Sequence, residues 1–128
     1  MKLLPDTHTL LWWGKADPRL SRRAKSLLTD PANDLLFSAA SAWEIVTKHR
    51  LGRLPEAALM VQDFPGWMVK VGLLELPITL AHARLAGSFP AAHGDPFDRM
   101  LAAQSLIEGV PLLGCDESLL AFGVKLIW

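Results

Sequence analysis

Four acids in this chain stand where they could manage charge on a phosphate. Asp6 directly follows the apolar run "KLLP", and Asp116 directly follows "PLLGC". Glu44 lies about one helical turn into "SAWEIVTKHRLGRL", just after "DLLFSA". Asp98 sits three residues after Asp95 in "GDPFDRMLAAQ", at the front of an apolar stretch. Two ionised carboxylates ~4 Å apart repel by about 4 kcal/mol at an effective dielectric near 20. A fold that gathers them protonates one or binds a cation. Hard oxygen donors with no supporting His/Cys set select Mg²⁺ or Mn²⁺ over Zn²⁺. Such an ion activates water and neutralises charge on a phosphodiester under in-line attack. The chemistry on offer is phosphodiester hydrolysis.

Each acid also has a plainer reading. Asp95 followed by Pro96 is a helix start, with Asp as N-cap and Pro in the first helical position. Asp98 is then the third helical residue, where an acid suits the positive end of the helix dipole. Ser41-Ala-Trp-Glu44 fits a capping box in which Glu44 reaches back to the Ser41 backbone. Asp6 and Asp116 both suit turns or caps. One acid at a time, capping competes with metal binding on even terms or better. The placement of four at strand ends and first turns is what argues for a site.

The elements that must position them alternate between strand and helix. "KLLP" is a short strand and "THTLLWWGK" a short helix. Ser21 caps a helix over "RRAKSLLTD" that ends before Pro31. Asp34 to Ala39 is a buried strand, and the next helix stops near Gly52. A helical stretch runs from Pro55 to about Val71, broken at Pro65-Gly66. "LLELPIT" is a strand, "LAHARLAGSF" a helix, and "DPFDRMLAAQSLIEG" a longer helix closed by Gly109. "VPLLGC" is a strand, "ESLLAFG" a short helix opened by Glu117, and "VKLIW" the last strand. Alternation of this kind implies right-handed crossovers and a mostly parallel sheet covered on both faces. In such sheets ligands bind outside the carboxyl ends of the strands. The expected class is α/β, with residues 1–128 forming a single domain.

Composition narrows the partners. Thirteen basic and thirteen acidic residues leave no net charge, so nucleic-acid binding has to rest on local patches. Lys15, Arg19, Arg22, Arg23 and Lys25 oppose only Asp17 in one stretch, and Lys48, Arg50 and Arg53 form a second cluster. Either is a solvated helix face or a phosphate contact. A single cysteine, Cys115, suits a reducing compartment. No apolar run approaches the ~18 residues of a membrane span, and "MKLLPD" reaches a proline and an acid too early for a signal peptide. The expected location is cytoplasmic.

Other residues near these elements are read more modestly. Thr7 is either a helix cap or a donor to a metal-bound water or phosphate. Arg99, about 100° around the helix from Asp98, is expected in a surface salt bridge. His8, His49, His82 and His93 lack metal-ligand spacing and are read as structural or surface residues. Cys115 is placed in a buried strand facing away from Asp116, so a thiol nucleophile is not expected. Trp12, Trp13 and Trp43 lie beside the site elements, as core or as the lining of a groove.

The pieces "LPDTHTLLWW", "DPRLS", "FSAASAWEIVTKHRLGRL", "DPFDRMLAAQ", "LLGCDE" and "VKLIW", in that order, resemble the PIN domain. Within it they resemble the VapC-type toxin ribonucleases of bacterial toxin–antitoxin pairs. The resemblance implies a three-layer α/β/α sandwich and a Mg²⁺- or Mn²⁺-dependent endoribonuclease with Asp6, Glu44, Asp98 and Asp116 as metal-binding and catalytic acids. It further implies an RNA substrate, a cognate antitoxin and a homodimer. Two positions depart from the family pattern. Gly114 stands where a Ser or Thr is frequent, and Pro5 stands before the first acid where an aliphatic residue is usual. A non-catalytic PIN-like binding module and a metal-dependent nuclease acting on structured DNA are the alternatives. An Asp-x-Asp phosphatase is disfavoured because the sequence after the first strand is Asp6-Thr7-His8. A response-regulator receiver is disfavoured because no acidic pair with a matching lysine is found.

Overall fold

Five short strands run in one direction through the centre of the chain. The computed structural model describes all 128 residues. The strands are β1 (Lys2–Pro5), β2 (Asp34–Ser38), β3 (Leu73–Leu76), β4 (Leu112–Leu113) and β5 (Leu126–Ile127). They lie in the order β3-β2-β1-β4-β5, and every pairing is parallel. The helices are α1 (Thr7–Gly14), α2 (Arg22–Thr29), α3 (Ala39–Arg50), α4 (Ala58–Gln62), α5 (Phe64–Val71), α6 (Leu80–Ser88) and α7 (Pro96–Glu108). Two 3-10 segments, Pro55–Ala57 and Glu117–Phe122, complete the chain.

Period-two alternation along the strands divides the core. Leu3, Leu35, Phe37, Leu113 and Ile127 face a layer containing Leu10, Leu11, Ala24, Leu28, Ile45 and Met60 of α1 to α4. Their strand neighbours Leu4, Leu76 and Leu112 face Leu101 and Ala102 of α7, together with Leu119 and Phe122. The sheet is thus covered on both sides, which is why its strands are rich in Leu, and the architecture is the three-layer α/β/α sandwich expected. No helix is long and apolar enough to cross a membrane.

Several boundaries differ from the sequence reading, each for a local reason. β2 ends at Ser38 because the Ser38 hydroxyl turns to cap α3, accepting from Ala40 N at 3.0 Å. That helix begins at Ala39, so Ser41 and Glu44 are interior residues and no capping box forms between them. The break between α4 and α5 falls at Asp63, whose carboxylate accepts from Gly66 N at 3.1 Å and opens a new helix with Pro65 in its first turn. β3 stops at Leu76, just before Pro77, which has no N–H to offer a ladder. β4 and β5 contain only two residues each, well short of "VPLLGC" and "VKLIW".

α6 and α7 are tied end to end. Thr79 N–H donates to His82 Nδ1 at 3.0 Å, which leaves Nε2 as the donor to Glu108 at 2.8 Å. His82 is fully buried and structural, as its sequence context suggested.

Candidate active site

The order β3-β2-β1-β4-β5 places a switch in strand direction of travel between β1 and β4, the place where open parallel sheets leave a crevice. Asp6 and Asp116 come off the carboxyl ends of those two strands. Asp6 caps α1, accepting from Thr9 N at 2.8 Å. It is buried, and desolvation pushes its carboxyl above the ordinary value; Asp116 adds to the rise by charge repulsion. Asp116 caps the following 3-10 turn, accepting from Ser118 N at 3.0 Å and Ser118 Oγ at 2.6 Å. Those Ser118 bonds hold it below the ordinary carboxylate value.

Glu44 and Asp98 reach the same edge from helices on opposite faces of the sheet. Glu44 is 4% exposed on α3 and pairs with Lys48 one turn along. Asp98 lies in the first turn of α7, whose cap is Asp95: Asp95 Oδ1 accepts from Phe97 N at 2.9 Å and Asp98 N at 3.1 Å. The capping and site readings of "DPFD" therefore divide between its two acids. Desolvation raises the Asp98 carboxyl, opposed by a hydrogen bond from His93 and reinforced by the charges of Asp95 and Glu44.

Hydrogen bonds and charge link these groups in pairs. His93 Nε2 lies 2.9 Å from Asp98 Oδ2, and the His93 charge also acts on Asp116. Asp116 acts on Asp6. Thr7, next to Asp6, donates from Oγ1 to Ser41 Oγ at 3.1 Å, one turn before Glu44. Thr7 is neither a helix cap nor free to serve a phosphate, since its hydroxyl is spent holding α1 against α3 inside the protein.

A hard divalent cation fits this donor set by charge and by type. Four carboxylates share one edge, and two of them carry a desolvation penalty that a cation would remove. They are not already drawn together around one point, because no group of three His, Cys, Asp or Glu side chains is gathered closely enough to hold a metal ion. Instead each acid has a local partner: Thr9 N for Asp6, Lys48 for Glu44, His93 for Asp98 and Ser118 for Asp116.

Three residues depart from their sequence readings. Arg99 makes no surface salt bridge. Its guanidinium donates to the carbonyls of Ala86, Phe89, Ala91 and His93 at 2.8 to 3.1 Å, and it lies against the rings of Phe89 and Phe122. It thereby shapes the loop that presents His93 to Asp98. His93 was read as structural or surface, yet it touches a site acid. Its separation of five residues from Asp98 across a loop matches no helical or strand period, so only the nearness of a His to "DPFD" could have flagged it. Cys115 is exposed, one residue past Gly114, rather than buried in β4. Desolvation first, then the charge of Asp6, pushes its thiol up, so it is still no thiolate nucleophile.

Gln104 was also missed. Fully buried on α7, it accepts from Ser38 Oγ at 2.5 Å and donates to Pro77 O at 3.3 Å, fastening α7 to the ends of β2 and β3. A single buried amide inside an amphipathic helix gives no periodic signal.

Comparisons with known proteins bear on the family and the fold. Over 78 residues the chain is 37% identical to Ribonuclease VapC16 of Mycobacterium tuberculosis (strain ATCC 25618 / H37Rv). That alignment covers 56% of this chain and 55% of VapC16, about half of each. The crystal structure of VapBC2 from Rickettsia felis, bound to a DNA fragment from their promoter, superposes with a TM-score of 0.72. It covers 99% of this chain and 98% of that one at 12% identity, so this likeness speaks for the fold alone. The PIN domain model matches residues 3–125, a span that takes in all four acids, and the chain belongs to the PIN domain family.

Proposed function

We propose that this chain is a metal-dependent endoribonuclease and the toxin of a bacterial toxin–antitoxin pair, with Asp6, Glu44, Asp98 and Asp116 as its working acids. The observation that carries the reading is the placing of Asp6 and Asp116 after the carboxyl ends of β1 and β4, at the switch in strand order, with Asp98 and Glu44 close enough for their charges to interact. It is supported by the partial match to Ribonuclease VapC16. Mg²⁺ or Mn²⁺ held here would supply an activated water and neutralise charge on the scissile phosphate.

The chain's own groups prepare for that. Asp6 is fixed by its cap bond to Thr9 N, with Thr9 Oγ1 anchored in turn on Leu113 O at 2.9 Å. Asp98 is held by His93, and Glu44 by Lys48. Asp6, Glu44, Asp98 and Asp116 would hold such a cation, and for Asp98 and Glu44 it would compete with the present partners His93 and Lys48. A homodimer, an antitoxin that covers the acidic edge and a cytoplasmic setting belong to the same reading.

The engagement of every acid by a local partner favours one second reading, a PIN-like module that binds without cutting. Assay of the purified, partner-free chain on a mixed RNA pool with Mg²⁺, Mn²⁺ or EDTA separates the two. Metal-dependent cleavage that disappears in Asp98→Asn supports the nuclease. Folded protein that cleaves no RNA with either metal supports the module.

A further inference from the structure

The Arg19 guanidinium lies over the Trp12 ring while most of its side chain stays exposed. The Arg19 guanidinium carbon sits 4.7 Å from the centre of the Trp12 ring. Asp17 grips the guanidinium at two points, Nε to Oδ1 at 3.0 Å and Nη2 to Oδ2 at 2.9 Å, which fixes its plane. The Arg19 side chain is nevertheless 61% exposed, so much of the surface that Trp12 and Asp17 leave uncovered meets solvent. Trp12 is itself braced by Trp128, edge-on at 5.8 Å, and by His8 at 5.9 Å.

The stack stands beside the acids. Trp12 is on the helix that Asp6 caps, Trp128 follows β5, and the Arg19 charge reaches Cys115, next to Asp116. Asp17 offsets the Arg19 charge, so a phosphate clamp is a poor use of this group. A flat guanidinium on a largely exposed side chain is suited to stacking on a base, as happens where single-stranded RNA is read.

We infer that the Trp12–Arg19 layer is a stacking platform for one nucleobase of single-stranded RNA flanking the acidic edge. The inference rests on the ribonuclease reading and names a position-specific contact within it.

The test uses the full chain carrying Asp98→Asn, which is expected to bind without cutting, and short fluorescein-labelled single-stranded RNAs followed by anisotropy. Each oligonucleotide has one base removed, at successive positions. One abasic position is expected to weaken binding by about 5- to 50-fold, the scale of a base–side-chain stack. Arg19→Lys, which keeps the charge and loses the plane, is expected to weaken intact RNA by a similar factor and to abolish the penalty at that one position. Thermal unfolding checks that the variant is folded, and the abasic series needs no mutation at all. Unchanged affinity in Arg19→Lys, or a loss that is the same at every abasic position, overturns the platform and leaves the layer to a protein partner or to the fold. Cleavage by the parent chain in those cases shows that the ribonuclease reading survives. A parent chain that neither binds nor cuts RNA overturns both.

Discussion

The Asp6 carboxylate occupies the space that a side chain at Gly114 would need. A Cβ built on Gly114 would fall 2.2 Å from Asp6 Oδ2 and 2.8 Å from its Cγ. The absence of a side chain two residues before Asp116 is therefore matched to the pose of the first acid. Because Asp6 is also pinned by Thr9 N, it cannot swing aside without losing its cap. Gly114→Ala is expected to destabilise the chain by about 1–3 kcal/mol through overpacking and cap loss. It should depress cleavage more than stability. Gly114→Ser should do no better. Denaturant unfolding and RNA cleavage measured on the same samples decide this, and a fully active Gly114→Ser would show that Asp6 has another working pose.

Asp6→Asn separates catalysis from folding. Burial raises the Asp6 carboxyl above 3.8, so its ionised form is disfavoured in the folded chain. The sign follows: a raised acid lends stability that is full below its unfolded value and is lost as pH climbs through its folded value. Asn keeps the cap without the charge. In EDTA, Asp6→Asn is expected to melt higher than wild type at pH 7, with the gain shrinking as the pH is lowered toward 3.8. Mn²⁺ should raise the melting temperature of wild type and leave that of Asp6→Asn unmoved, while RNA cleavage is lost. A metal-free variant that melts lower than wild type at pH 7 would mean that Asp6 is a structural anion.

Much of this could be read from the chain because the signals are local. Alternating apolar runs gave the α/β class, and Asp-Pro and the Gly109 stop bounded α7. Ser21 capped its helix as its sequence suggests, accepting from Ala24 N at 2.9 Å. What could not be read depends on contacts between elements. Ser41 and Glu44 have capping-box spacing, but Ser38 won the cap because β2 ends one turn earlier. Thr7 met Ser41 across 34 residues. Arg99 found its partners among backbone carbonyls, which carry no side-chain pattern. In the basic stretch from Lys15 to Lys25, a solvated face or a phosphate contact by sequence, Asp17 holds both Lys15, at 3.7 Å, and Arg19.

Arg99→Lys tests whether the α6–α7 loop serves the site. Four carbonyls within 3.1 Å converge on one planar fork, and an ammonium can satisfy only some of them. Loss of charge-assisted bonds to partly buried carbonyls is expected to cost about 2–3 kcal/mol in urea unfolding. His93→Gln leaves that fork intact and removes the ring at Asp98, so it should lower cleavage with little change in stability. Equal stability losses in both variants would reduce His93 to a packing residue against Phe122.

Ala16 probes the turn that presents Asp17 to Arg19. It is the one non-glycine residue in the left-handed region, with φ 51°. An L-residue there pays about 1–2 kcal/mol relative to the right-handed region. The strain is sustained by the bond from Asp17 N to Trp12 O at 2.9 Å and by that from Leu20 N to Asp17 O at 3.1 Å. Glycine removes the steric conflict but adds freedom to the unfolded chain, worth about 0.4–1 kcal/mol in the other direction. The steric relief is the larger of the two. Ala16→Gly is therefore expected to raise stability by up to about 1 kcal/mol while the Asp17–Arg19 pair stays in place. Ala16→Val adds a branched Cβ in the same region and should lower stability and loosen the pair. Thermal melts of the two variants give opposite signs if the turn holds its geometry. Matching losses in both would show that the turn relaxes to negative φ and that Asp17 is not held by strain.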